Sequence, residues 1–254
     1  MEQTLTKLVT IFQQKLDENL VGVYLHGSLA MGCYHPVKSD IDLLVVVKEP
    51  LLPTTKRELI NSFFKIEEEF PQKGLEMSVV NEAVLNPFQH PTPFELHYSN
   101  AHRHHYISDP EFILEGGKDR DLAAHVVMTK HRGRCLIGLP IQEVFEDVSS
   151  KDYLDSIIFD IENAAEEVWN DPVYYILNLC RVLFFIREKG IASKKEGGEW
   201  GRENLPGLFT ILINEALFSY ENGIRLEIDE RQEQVKEFVH YVLEKISIEK
   251  QKIV

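Results

Sequence analysis

The sequence predicts an α+β protein in two parts, a mixed α/β segment followed by a bundle of helices. Three observations predict it. Short runs of branched residues alternate with helical patterns as far as about residue 150. Beyond Ser149-Ser150 only helical periodicity remains. The chain has 254 residues, enough to bury a core without disulfide or metal staples. We therefore divide it at 1–150 and 151–254, the second part being a bundle whose long helices bury their faces on each other or on the first domain.

The elements follow in order. Leu5, Leu8, Phe12 and Leu16 recur at helical spacing and open the chain with a helix. Val21–His26 alternates like a strand, which Gly27-Ser28 interrupts. Asp40–Val47 is a second strand, and its apolar tail calls for burial on both faces. Pro53-Thr54-Thr55 starts a helix with Leu59, Ile60, Phe63 and Phe64 on its apolar side. Gly74 precedes a third strand, in which Leu75, Met77 and Val79 alternate with Glu76, Ser78 and Val80. Residues 86–93 hold three prolines and read as a loop. A helix follows near Arg120–Lys130. The second part reads as helices over roughly 151–169, 173–189, 206–219 and 229–249.

Composition narrows the function. Lys and Arg number 27 against 41 Asp and Glu, a formal net charge of −14. A nucleic-acid partner needs a basic stripe, so none is expected. An acidic cleft suits a small cationic ligand, although net acidity equally serves solubility. The longest aliphatic run, Leu43–Val47, is far short of the ~18 residues that span a bilayer, so no membrane association is expected. Met1-Glu2-Gln3 has neither the basic nor the apolar region of a secretory signal. Cys33, Cys135 and Cys180 are too scattered for a disulfide framework, and a cytoplasmic monomer is the expectation.

The strings Gly27-Ser28 and Ser39-Asp40-Ile41-Asp42-Leu43-Leu44-Val45 carry the chemistry. Alternation along a strand puts Asp40 and Asp42 on one face. Two carboxylates ~4 Å apart repel by about 4 kcal/mol at an effective dielectric near 20, which a hard divalent cation offsets. Glu76 lies opposite the apolar set of its own strand, and joins the acidic face if that strand pairs beside the second. Three carboxylates with a pair of metal ions describe phosphoryl or nucleotidyl transfer. Gly27 permits close approach of backbone to phosphate, and Ser28 offers a hydroxyl and an amide. A bare Asp-x-Asp also suits an exposed strand entrance. His102-Arg103-His104-His105 completes no zinc set and reads as a surface segment. Gly197-Gly198 is poor helix material and suggests a flexible or bent piece beside Lys194.

Gly-Ser followed by Asp-x-Asp resembles the nucleotidyltransferase superfamily signature. The whole chain resembles the aminoglycoside (3″)(9)-adenylyltransferases, bacterial enzymes of streptomycin and spectinomycin resistance. Val23–Ser28, Ser39–Val45, Leu75–Val79, Leu177–Arg181, Ile191–Lys194, Glu199-Trp200, Leu205-Pro206 and Glu237–Val242 carry the likeness. The resemblance implies an N-terminal nucleotidyltransferase fold, a mixed sheet with flanking helices, joined to a helical substrate- and nucleotide-binding domain. It implies ATP and Mg²⁺, a small cationic antibiotic as acceptor, AMP transfer to a drug hydroxyl and release of pyrophosphate. Asp40 and Asp42 would hold Mg²⁺, with Glu76 as metal ligand or as the base that meets the substrate hydroxyl. Gly27, Ser28 and Ser39 would cradle the triphosphate. Asp121, Arg181, Lys194 and Tyr220 match nucleotide contacts, so that ATP bridges the domains.

Departures concern the drug. Ala101 stands where many members carry tryptophan, and Trp169-Asn170-Asp171-Pro172 replaces the usual Asp-Glu-Arg-Asn string. Asp171 matches its first aspartate. Trp169 with Glu166 or Glu167 stands in for the aromatic and acid of streptomycin-modifying members without aligning residue by residue. Glu162, Glu166 and Glu167 equally suit an exposed helix face. Without the resemblance, Arg181 reads as well as an ion pair, Lys194 as a solvated helix start, Tyr220 as a rim aromatic and Asp121 as a first-turn acid. An alternative keeps the fold and changes the acceptor to a protein or another small hydroxyl compound. A catalytically dead binding module is the third reading, disfavoured by the intact Asp40, Asp42 and Glu76.

Overall fold

The computed structural model describes residues 1–109 and 111–251. The chain forms two compact units, Met1–Val148 and Ser149–Val254.

The first unit is built on five strands: β1 (Leu20–Leu25), β2 (Ile41–Val47), β3 (Leu75–Asn81), β5 (Leu96–Tyr98) and β7 (Arg134–Gly138). A two-stranded ribbon pairs β4 (Thr92–Pro93) with β6 (Lys118–Asp119). Helices α1 (Glu2–Leu16), α2 (Gly27–Ala30), α3 (Pro53–Phe64), α4 (Arg103–Ser108), α5 (Leu122–Arg132) and α6 (Ile141–Val144) complete it. The sheet order is β5-β3-β2-β1-β7. β2 and β3 run parallel, as a helical crossover through α3 requires, and the other pairs are antiparallel.

Alternation along the strands makes two cores. Val23, Leu25, Ile41, Leu43, Val45, Leu75, Met77 and Val79 face one way, and pack with Leu8, Phe12, Leu59 and Phe63 of α1 and α3. Tyr24, Leu44, Val46 and Val80 face the other way, and pack with Leu122 and Val126 of α5 and with Ile141 and Phe145. β2 is thus buried on both sides along its apolar tail, as its composition predicts.

β5 and β7 add strands that the sequence does not announce. Both are short and lie at the sheet edges, where a three- to five-residue run shows no usable alternation.

The second unit holds α7 (Ser150–Phe159), α8 (Ala164–Glu167), α9 (Pro172–Glu188), α10 (Lys194–Asn204), α11 (Thr210–Asn222) and α12 (Gln232–Lys250). It corrects two expectations. The single helix expected over 151–169 is broken by a turn between α7 and α8. Ile157, Ile161, Ala164 and Val168 keep helical spacing through that turn and are all buried, so periodicity hides the break. The bent or flexible piece expected at Gly197-Gly198 is continuous helix, and both glycines are buried within α10. A Cβ on Gly197 would lie 2.7 Å from Arg181 Cα, and one on Gly198 would lie 2.6 Å from Leu177 Cδ2. The glycines therefore let α10 lie directly on α9. A helix whose contact surface is glycine shows no apolar stripe in sequence. Its start is set by a capping box between Ser193 and Glu196.

Candidate active site

The site grows from the end of the sheet where β2 and β3 begin together. Their register places Asp42 opposite Glu76. Asp40 lies just before β2, two residues from Asp42 and on the same side. A carboxylate oxygen from each of Asp40, Asp42 and Glu76 lies within 4.8 Å of the others, and all three residues are half-buried. This is the only such group of potential metal ligands among the described residues. Each oxygen pair at that spacing repels by several kcal/mol at an effective dielectric near 20. An all-oxygen, trianionic set suits a hard divalent cation, not the softer sites of zinc.

The turn after β1 closes over these acids. His26 donates its backbone N–H to the Asp42 carbonyl at 3.1 Å. Gly27 follows at φ 63°, a left-handed conformation, and a Cβ there would overlap the Asp42 carboxylate. Glycine is thus required twice, by the turn and by the Asp42 carboxylate beneath it. Ser28 Oγ is buried and has no hydrogen-bond partner among the described residues. A buried hydroxyl without a partner is costly unless a ligand completes it. Ser39 is buried, and its Oγ accepts the backbone N–H of His35 at 3.0 Å, leaving its own proton to donate.

Three histidines, which sequence reading missed, surround this face. His125, one turn into α5, meets Asp121 Oδ2 through Nε2 at 3.2 Å. Burial alone lowers the His125 pKa. The Asp121 carboxylate, by charge and hydrogen bond, and then Glu76 and Asp42 outweigh it and push it up to about 10. His26 packs its ring 4.7 Å from that of His125. Burial, with the His125 charge, holds His26 well below the ordinary value. His97 accompanies Ser78, two residues beyond Glu76, at 3.0 Å. Burial, then the charges of His125 and His102, bring it down to about 4. Sequence spacing offers a signal only for Asp121 and His125, an i,i+4 pair on a helix.

His102 to His105 joins no metal cluster among the described residues. Arg103 there forms a two-pronged ion pair with Glu67.

In the helical unit, Arg181 on α9 donates to Asp160 Oδ2 at 2.7 Å, and both side chains are mostly buried. Tyr174 donates its hydroxyl to the other oxygen of Asp160 at 3.1 Å. Lys194 Nζ stands 4.7 Å from the centre of the Tyr174 ring. Arg181 and Lys194 thus belong to one network, organised by Asp160 and Tyr174, which the sequence did not single out. Tyr220 is half-buried on α11. Asp171 caps α9 by accepting the Tyr174 N–H at 3.1 Å. Glu167 is exposed and accepts from Asn170 at 2.5 Å, and Trp169 is half-buried.

Comparison with known proteins matches both units. Residues 5–101 match the nucleotidyltransferase domain, and residues 143–245 match the C-terminal domain of aminoglycoside adenylyltransferases. Both units of the chain are thus similar to aminoglycoside adenylyltransferases. An aminoglycoside (3″)(9) adenylyltransferase of Escherichia coli is 29% identical over 252 residues, 94% of this chain and 92% of the relative. A spectinomycin 9-adenylyltransferase of Staphylococcus aureus is 27% identical over 240 residues, 91% of this chain and 90% of the relative. Among solved structures, spectinomycin adenyltransferase AAD(9) of Enterococcus, with ATP and spectinomycin, superposes with a TM-score of 0.83. It is 25% identical, and the match covers 97% of this chain and 99% of that one. These matches make the chain an adenylyltransferase, and Asp40, Asp42 and Glu76 form its one close group of carboxylates among the described residues. Among the described residues, no helix is long and apolar enough to cross a membrane.

Proposed function

We propose that this adenylyltransferase moves AMP from Mg²⁺-ATP to a hydroxyl of streptomycin, spectinomycin or both. The observation that carries the reading is the convergence of Asp40, Asp42 and Glu76 within 4.8 Å on a nucleotidyltransferase sheet. Bound Mg²⁺ stabilises charge on the attacking and leaving oxygens of an in-line displacement. Asp40 and Asp42 would hold it. Glu76 accepts the proton of the drug hydroxyl as that oxygen bonds to the α-phosphorus. The bond between that phosphorus and the β-bridging oxygen breaks, and its electron pair leaves with pyrophosphate.

The turn at Gly27, with Ser28 Oγ and the proton of Ser39, donates to the triphosphate. Asp121 contacts the nucleoside. Arg181 and Lys194 contribute cations to the pyrophosphate, and Tyr220 contacts the nucleotide. Glu167, Trp169 and Asp171 bind the acceptor, the carboxylates of Glu167 and Asp171 answering the guanidinium groups of streptomycin.

Pyrophosphate release with Mg²⁺-ATP tests the reading against streptomycin, spectinomycin, kanamycin and no acceptor. Release with streptomycin or spectinomycin, and not with kanamycin or water, is expected. ATP binding with no release on any drug overturns the acceptor assignment.

A further inference from the structure

Asp121 occupies the N-cap of α5 but does not cap it. Its carboxylate accepts no backbone N–H of its own first turn. An aspartate at that position ordinarily does so, because the first amides of a helix lack partners. Here the carboxylate meets His125 Nε2 instead, at 3.2 Å. Its backbone is held as well, since the Asp121 N–H donates to Asp119 Oδ1 at 2.9 Å. Both side chains are only partly buried, 18% exposed for His125 and 31% for Asp121, so the pair borders a surface that a ligand can reach.

His125 is fixed from its other side. Its ring lies 4.7 Å from that of His26, which is 4% exposed. The His26 backbone is bonded to Asp42. A continuous set of contacts thus runs from the metal-binding strand, through two imidazoles, to Asp121. The cation of the set is His125. It faces Asp121 on its own helix, Asp42 and Glu76 on the strands, and the neutral His26.

We propose that His125 is a positioning residue for nucleotide binding: it holds the Asp121 carboxylate away from its own helix end and presents it to the nucleoside of ATP. This rests on the adenylyltransferase reading of Asp121 given above. A carboxylate released from His125 would lose its fixed orientation and could turn toward its own helix end, as an N-cap aspartate ordinarily does. A bound nucleotide would then have to recover it, and affinity for ATP would fall. The chemical step, carried by Asp40, Asp42 and Glu76, would change little.

The test is calorimetric binding of Mg²⁺-ATP without acceptor, on the full chain, for wild type, His125→Leu, His125→Gln, Asp121→Asn and the double variant His125→Leu/Asp121→Asn. His125→Leu is expected to weaken ATP about tenfold, the scale of one hydrogen bond to a charged group. His125→Gln retains a donor and is expected to recover part of that loss. In the Asp121→Asn background, His125→Leu is expected to add less than about a twofold further change, because residues acting through one contact are not additive. With an active acceptor, KM for ATP is expected to rise while kcat falls less than about threefold. ATP affinity unchanged in His125→Leu overturns the proposal, as does a full additional loss in the Asp121→Asn background. If His125→Leu does not fold, unchanged affinity in His125→Gln overturns it on the same readout. Wild-type protein that binds ATP but releases no pyrophosphate defeats the acceptor assignment alone, since the binding cycle needs no acceptor.

Discussion

The two faces of the five-stranded sheet come from the same strands and do different work. Odd-numbered positions such as Leu43, Val45, Met77 and Val79 are dry from end to end beneath α1 and α3. The even-numbered face is apolar only part of the way. Leu44, Val46 and Val80 lie under α5 and α6, while Asp42 and Glu76, at the start of the same strands, stand half-buried with the imidazoles of His26 and His125 nearby. Stability is concentrated on one side, which lets the other keep three mutually repelling carboxylates.

Substitutions on the two faces should separate these roles. Asp42→Asn has the largest expected effect on function: loss of Mg²⁺-dependent ATP binding and of turnover by about a thousandfold or more. Its metal-free melting temperature should hold or rise, because one repelling charge is gone. Calorimetry with and without Mg²⁺ and a thermal melt check both statements, and a large drop in melting temperature would contradict the division between the faces. Glu76→Gln should retain ATP binding and lose about 10²- to 10⁴-fold in kcat, the range of general-base catalysis. Undiminished turnover removes Glu76 from the base role. Leu43→Ala, one residue from Asp42 and fully buried on the other side, should do the reverse. It should cost about 3–5 kcal/mol by denaturant unfolding while kcat stays near wild type below the melting temperature.

The smallest effect concerns pH. His97 has a folded pKa of about 4 against an ordinary 6.5. The unfolded chain therefore takes up its proton first as pH falls. Stability from neutral His97 is complete above pH 6.5 and is lost as pH drops toward 4, by at most about 3 kcal/mol. His125 has the opposite sign: with a folded pKa of about 10, its contribution is complete below pH 6.5 and is lost as pH rises toward 10. Unfolding free energies across pH 4–10 for wild type and His97→Gln sharpen this, the acid-side slope flattening in the variant.

Much of the site is legible in one dimension because it depends on local geometry. Asp40 and Asp42 share a face since strands repeat every two residues, and Gly27 stands where the turn leaves no room for a Cβ. The helices with an apolar stripe, such as α1 and α3, are legible for the same reason. Helix α10 is not, because its contact surface is glycine. The turn between α7 and α8 is hidden because the burial pattern runs through it.

Sequence by itself determined which residues could face one another: two aspartates on one side of a strand, a glutamate on the polar side of another, a Gly-Ser turn before them. Tertiary structure alone decided that β3 lies parallel beside β2 with Glu76 opposite Asp42, and that α5 crosses the same face to set His125 against His26. The physical reason is that alternation is a property of each strand and survives any even shift in pairing. Register is chosen by the α3 crossover and by two cores that must both close.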